Sequence, residues 1–177
     1  MSRGWTRLSG ETVVRNEWLT IERNTYQAGA RRIADYYVLR RPAFVLVVAE
    51  APEGVILLRQ YRPAMDSHYW SLPAGYLDAG EDALIAAARE LREETGAQGS
   101  SFRLIGALDP LPGYIASRAH IVTCAVPGAT PLRPSEESDQ IAIVPWGQVL
   151  QRIASGAINE MQAVSALLLA ARWRTHA

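Results

Sequence analysis

The sequence of 177 residues predicts an α+β domain or an α/β/α sandwich. Two observations carry this. Extended and helical segments are both present, but they do not follow each other as regular strand–helix–strand units. One stretch, from about Asp82 to Thr95, has helical spacing and lies between glycines, and apolar strand-like runs lie on either side of it.

Residues 11–41 read as extended chain, ETVVRNEWLTIERNTY and then ARRIADYYVLRR, with a turn at Gln27-Ala28-Gly29. Alternation in Trp18, Thr20, Glu22 against Leu19, Ile21, Arg23 fits a two-faced strand. Pro42 breaks the chain. Ala43 to Ala49 is a continuous apolar strand, and Val55 to Tyr61 is another, joined by a turn at Pro52-Glu53-Gly54. Leu72-Pro73-Ala74-Gly75 leads to the helix, whose stripe Leu84, Ala88, Leu91 and Thr95 is expected to face a sheet while its carboxylates face out. Gly96 is expected to cap the helix. Phe102 to Leu108, His120 to Val126 and Gln140 to Val144 read as strands, and Trp146 to Ser155 and Asn159 to Trp173 as helices. No internal repeat or low-complexity segment is seen.

Hydrophobic residues make up 49% of the chain, enough for a real core. Lys plus Arg equals Asp plus Glu at 18 each, which argues against a broad nucleic-acid footprint but leaves room for a local basic pocket. The single cysteine, Cys124, lies in the apolar run IVTCAV and reads as a buried inert thiol. The first residues, MSRGWTRLSGE, contain no apolar signal core, and no apolar run reaches the roughly 18 to 20 residues that span a bilayer. A cytoplasmic protein without a membrane partner is the expectation.

Chemistry concentrates in Gly75 to Ala97, GYLDAGEDALIAAARELREETGA. Glu90, Glu93 and Glu94 fall at i, i+3 and i+4, so they are neighbours on a helix. Three such carboxylates repel one another unless a cation joins them, and oxygen-only ligands suit Mg²⁺ or Mn²⁺. A solvated acidic face, with Arg89 and Glu93 as an i, i+4 pair, is the plainer alternative. The order Gly75, Glu81, Arg89-Glu90-Leu91, Glu93-Glu94, Gly96-Ala97 resembles the Nudix box of the Nudix hydrolases. Ala97, where the pattern has a larger aliphatic residue, is a mild departure.

The resemblance implies an α/β/α sandwich, a mixed sheet between helices, following an N-terminal antiparallel β-arm. It divides the chain into an arm at 1–41, for dimerisation and base binding, and a Nudix hydrolase domain at 42–177. It implies that Glu90 and Glu94 are metal ligands, that Glu93 shares or orients the ion, and that the carbonyl of Ala74 completes the site. Glu81 and Arg89 resemble the supporting pair of the box. A general base is expected in PSEESDQIAIV, with Glu137 first, Asp139 next and Glu136 also open.

Gln60-Tyr61-Arg62-Pro63 and Leu72-Pro73-Ala74-Gly75 resemble the ADP-ribose and nucleoside-diphosphate-sugar branch, where Arg62 would clamp the diphosphate. Pro112 stands 15 residues beyond Ala97, an offset that marks the ADP-ribose branch. In the arm, Trp18, Tyr36 and Arg41 match positions where two aromatics stack on adenine and an arginine meets phosphate. The resemblance thus implies a Mg²⁺-dependent homodimeric enzyme that cleaves a nucleotide-sugar, favouring ADP-ribose. Its rivals are a GDP-mannose or other NDP-sugar hydrolase and a sensor that binds without cleaving. One departure bears on substrate preference: Gly113 to Arg118 lacks the family's acid after Pro-Gly and gains Arg118, while His120 keeps the family's spacing.

Overall fold

The computed structural model describes residues 4–128 and 131–175. The chain divides into two compact units, one of Met1–Ala43 with Asp109–Arg118, the other of Phe44–Leu108 with Ala119–Ala177.

In the first unit, β1 (Thr6–Arg15), β2 (Thr20–Ala28) and β3 (Arg31–Arg40) form an antiparallel meander. The extended chain therefore starts earlier than expected, at Thr6, and is interrupted at 16–19. There Asn16 Oδ1 accepts the backbone N–H groups of Trp18 and Leu19, both at 2.9 Å, which makes an Asx-type turn. The second turn uses Gly29 at φ +59°, a left-handed conformation that glycine adopts without strain. A short strand at Ile115–Ala116 later in the chain, β9 in chain order, pairs in parallel with β3. Tyr36 meets Tyr26 edge to face at 5.6 Å, and its hydroxyl donates to the Gly113 carbonyl.

In the second unit, a seven-stranded mixed sheet is built from β4 (Phe44–Ala51), β5 (Gly54–Arg62), β6 (Ser67–Ser71), β7 (Ala74–Tyr76), β8 (Ser100–Leu108), β10 (Ala119–Ala125) and β11 (Gln140–Val144). The central order is β11-β5-β4-β10-β8, with β6 on β5 and β7 on β4. Only β10 and β4 run parallel among these pairs. Helices α1 (Ala83–Thr95), α2 (Trp146–Ala154) and α3 (Met161–Arg174) complete it.

Strand β4 explains the layering, because its side chains alternate between two cores. Val45, Val47 and Ala49 join Ala86, Ala87 and Leu91 of α1. Leu46 and Val48 join Val149 of α2 and Ala163, Ala166, Leu167 and Ala170 of α3. This is the expected sandwich of helix, sheet and helix. Cys124 lies in the α1-side core, and burial pushes its thiol up to about 12, the inert state expected of it. Among the described residues no helix is long and apolar enough to cross a membrane.

Candidate active site

Helix α1 begins where Asp82 accepts the Leu84 N–H at 2.8 Å and ends where Gly96, at φ +71°, donates its N–H to the Arg92 carbonyl at 2.9 Å. Both ends match the sequence reading. The face of the helix matches in part: Leu91 and Thr95 are buried and Leu84 packs against the same cluster, as expected. The buried residues of the helix are Ala86, Ala87, Glu90, Leu91, Glu94 and Thr95, while Ala88, expected against the sheet, is exposed. Two of the three carboxylates expected to face out are therefore buried, Glu90 at 8% and Glu94 at 7% exposure, and only Glu93 lies on the open side.

A buried carboxylate needs partners. Glu94 Oε2 accepts the backbone N–H of Ala74 at 2.7 Å, and its Oε1 accepts the side-chain amide of Gln60 at 3.0 Å. Glu90 Oε1 accepts from Arg89 Nη1 at 2.6 Å and lies against Gly75, where an added Cβ would collide with that oxygen. Glycine at this position thus leaves the room the carboxylate occupies.

Arg89 organises the acids around it. Its Nε and Nη2 donate to the two oxygens of Glu81 at 3.0 and 2.8 Å, Nη2 also donates to the Tyr76 carbonyl at 2.9 Å, and Nη1 reaches Glu90 and, at 3.2 Å, Glu93. Glu81 in turn accepts the Asp78 N–H at 3.0 Å. The Arg89 guanidinium, with help from that N–H, holds the Glu81 carboxyl down at about 2. Glu94 moves the other way. Burial pushes it up to about 7, with the charges of Glu90 and Glu137 adding to the rise against the bonds from Ala74 and Gln60. Burial also raises Glu90, opposed by Arg89. The site holds negative charge that its surroundings do not fully neutralise.

The loop expected to supply a base reaches the end of this helix. Arg133 N–H donates to the Thr95 carbonyl at 2.8 Å and Ser135 N–H to that of Glu94 at 3.3 Å. Glu137 is exposed, and its charge acts on Glu94. Asp139 is engaged elsewhere, with His68 Nε2 at 2.7 Å and Arg59 Nη1 at 3.9 Å. Arg62, at the end of β5, donates from Nη2 to Glu160 at 3.0 Å and to Ser71 Oγ at 3.4 Å.

Two sheltered carboxylates thus lie behind a glycine strand, Glu90 held by Arg89 and Glu94 by Gln60 and the Ala74 N–H. The NUDIX domain family matches the chain over residues 39–164. The chain belongs to the Nudix family.

Known Nudix proteins resemble it along most of its length. It is 28% identical to the ADP compounds hydrolase NudE of Escherichia coli K12, over 95% of this chain and 92% of that protein. It is 31% identical to an ADP-ribose pyrophosphatase of Mycobacterium tuberculosis H37Rv, over 91% of this chain and 80% of the other. A crystal structure of an ADP compounds hydrolase superimposes with a TM-score of 0.80 at 28% identity, covering 97% of this chain and 95% of that one. The chain is a Nudix pyrophosphohydrolase.

Within this Nudix unit the structure brings together Ala74, Glu81, Arg89, Glu90, Glu93 and Glu94, and places Glu137 where its charge is felt. Trp18, Tyr36 and Arg41 belong to the first unit, where Trp18 is exposed. Arg118, the departure noted in the sequence, pairs there with Asp109 at 2.9 Å. Sequence reasoning missed Gln60, Ser71 and Glu160. Gln60 was on view in Gln60-Tyr61-Arg62-Pro63, and a polar residue ending a buried apolar strand was the available signal.

Proposed function

We propose that this Nudix enzyme hydrolyses the pyrophosphate of an ADP-sugar, with ADP-ribose the favoured substrate, giving AMP and ribose 5-phosphate. The observation that carries the chemistry is the pair Glu90 and Glu94, buried, raised in pKa, and set against Gly75 and Ala74. The preference for ADP compounds is supported by the activities for which the relatives are named and by the sequence around Gln60 to Pro63 and Pro112.

Nudix enzymes use a divalent cation, and the residues here fit Mg²⁺. Among the described residues no three acidic, histidine or cysteine side chains converge as a closed ion cage. Mg²⁺ needs none, because it keeps several waters and is bound through one or two carboxylates together with substrate phosphates. Glu90 and Glu94 would hold it, with the Ala74 carbonyl and Glu93 beside them. Bound there, it would neutralise phosphate charge and lower the pKa of water.

The chain's own residues do the rest. Arg89 and Glu81 fix the direction of Glu90 and leave it little rotamer freedom. Gln60 and the Ala74 N–H fix Glu94, so the two acids are preorganised before substrate arrives. Glu137, exposed on its loop, is the residue we assign to take the proton of the attacking water, and Arg62 the one that contacts the diphosphate. In the arm, Trp18 and Tyr36 would stack on the adenine and Arg41 would meet phosphate.

We also propose that 1–41 serves as a dimerisation arm ahead of the hydrolase domain at 42–177, and that the enzyme works as a cytoplasmic homodimer. Supporting this, β1 is exposed along its whole length and shows Leu8, Val13 and Val14 to solvent. Sedimentation at dilute concentration tests it, and a monomer would remove the arm's role.

Substrate choice is tested by kcat/KM for ADP-ribose, GDP-mannose, diadenosine polyphosphates and dNTPs with Mg²⁺. ADP-ribose is expected to lead. A lead for GDP-mannose would keep the catalytic assignment and move the specificity.

A further inference from the structure

We propose that Glu160 is a positioning residue that holds Arg62 in place for the substrate diphosphate. The inference rests on the role of Arg62 under the proposed function and adds a residue that no sequence motif points to.

Glu160 stands 98 residues from Arg62, immediately before α3, yet its carboxylate is mostly buried and uses both oxygens. Oε1 accepts from Arg62 Nη2 at 3.0 Å, and Oε2 accepts from the hydroxyl of Ser71, itself 1% exposed. It makes no capping bond to its own helix, which is the local use open to a polar side chain at that position. The chain spends this acid on two other elements instead.

The way Arg62 is held matters. Both of its bonds leave from Nη2, and among the described residues Nε and Nη1 donate to nothing. The side chain is 39% exposed, so those remaining donors are open to an incoming anion. A guanidinium carries five N–H donors in a rigid plane, so anchoring one nitrogen fixes the direction of the others. An unanchored arginine on a strand end would lose rotamer freedom on binding, which costs affinity. Glu160 removes that cost beforehand. The same carboxylate grips Ser71, three residues before Ala74, whose N–H holds Glu94. The tether therefore sets the end of β6 and the arginine together.

The test is a double-mutant cycle of Glu160→Gln and Arg62→Ala. Its readouts are Michaelis kinetics with ADP-ribose, calorimetric binding of the α,β-methylene analogue of ADP-ribose, and thermal unfolding. Glu160→Gln is expected to raise KM and the analogue's Kd on the order of tenfold, with kcat within about twofold. Arg62→Ala is expected to do at least as much, and the double variant no more than Arg62→Ala alone, because Glu160 acts through Arg62. Should Glu160→Gln fail to fold, Glu160→Asp takes its place. Its shorter chain cannot span both partners, and the same direction is expected.

Normal KM and Kd in Glu160→Gln beside an impaired Arg62→Ala would overturn the positioning role and leave the proposed function standing. Full additivity in the double variant would overturn it too, by making Glu160 an independent structural group. Normal binding in Arg62→Ala would remove the arginine's role and the inference with it. A wild-type protein that neither binds the analogue nor cleaves ADP-ribose would instead sink the proposed function itself, and Glu160's role would fall as its consequence.

Discussion

Strand β1 and helix α1 place charge in opposite ways. Every residue of β1 is exposed, and its acid Glu11 pairs with Arg23 in the open, beside water that already solvates both. Such pairs contribute little to stability. On α1, Glu90 and Glu94 are buried beside alanines and a leucine, where an ionised carboxylate is costly. The chain tolerates that cost at one place, and there it also supplies an arginine clamp, an amide, a backbone N–H and a glycine that makes room. Charge kept at a cost marks chemistry more reliably than charge displayed on a surface.

Removing a buried acid should have the largest effect. Glu90→Gln is expected to lower kcat for ADP-ribose by about 10²–10³-fold while the circular dichroism spectrum stays native. A rate near wild type would place the metal elsewhere. Next comes Gly75→Ala. The added Cβ meets only the carboxylate end of Glu90, which can turn away by giving up its bond from Arg89, so the fold should survive while the carboxylate is displaced. Turnover is expected to fall about 10- to 100-fold, the scale of losing a group that orients a metal ligand. Unchanged kinetics would show that Glu90 has no fixed place.

The arm should respond differently. Trp18 is 63% exposed, so Trp18→Ala should leave thermal stability nearly untouched. If it stacks on the adenine, KM for ADP-ribose should rise roughly 5- to 100-fold. Equal KM would confine function to the α1 face.

The smallest signal is a pH dependence of stability. In EDTA, Glu94 is raised in the folded state from 4.5 to about 7, so folding favours its protonated form. Its contribution is full below pH 4.5 and is lost as pH rises through about 7. Denaturation midpoints between pH 5 and 8 should fall in wild type and fall less in Glu94→Gln. Parallel curves would mean that Glu94 is not desolvated.

Much of this was legible in the sequence because it is local. The start of α1 near Asp82 and its cap at Gly96, the apolar runs that became β4 and β5, and the spacing of the acids each depend on a few adjacent residues. The stripe Leu84, Leu91 and Thr95 was legible too, but the full width of the buried face of α1 was not. Ala86, Ala87 and Ala88 give three equivalent small residues with nothing to show which two face the sheet, and a rule that turns carboxylates outward then chose wrongly. Strands β6 and β7 escaped because the runs SHYWS and AGY carry no period. Glu160 could not be read at all, since its partners are far away in sequence and only the fold brings them to it.

The most direct measurement follows ADP-ribose over time with Mg²⁺, in wild type and Glu94→Gln at matched folded concentration, resolving products by chromatography. AMP and ribose 5-phosphate are expected from wild type and almost none from the variant. Equal product from both would contradict the buried acid pair as the hydrolytic centre, and tight binding by wild type without depletion would make the protein a sensor.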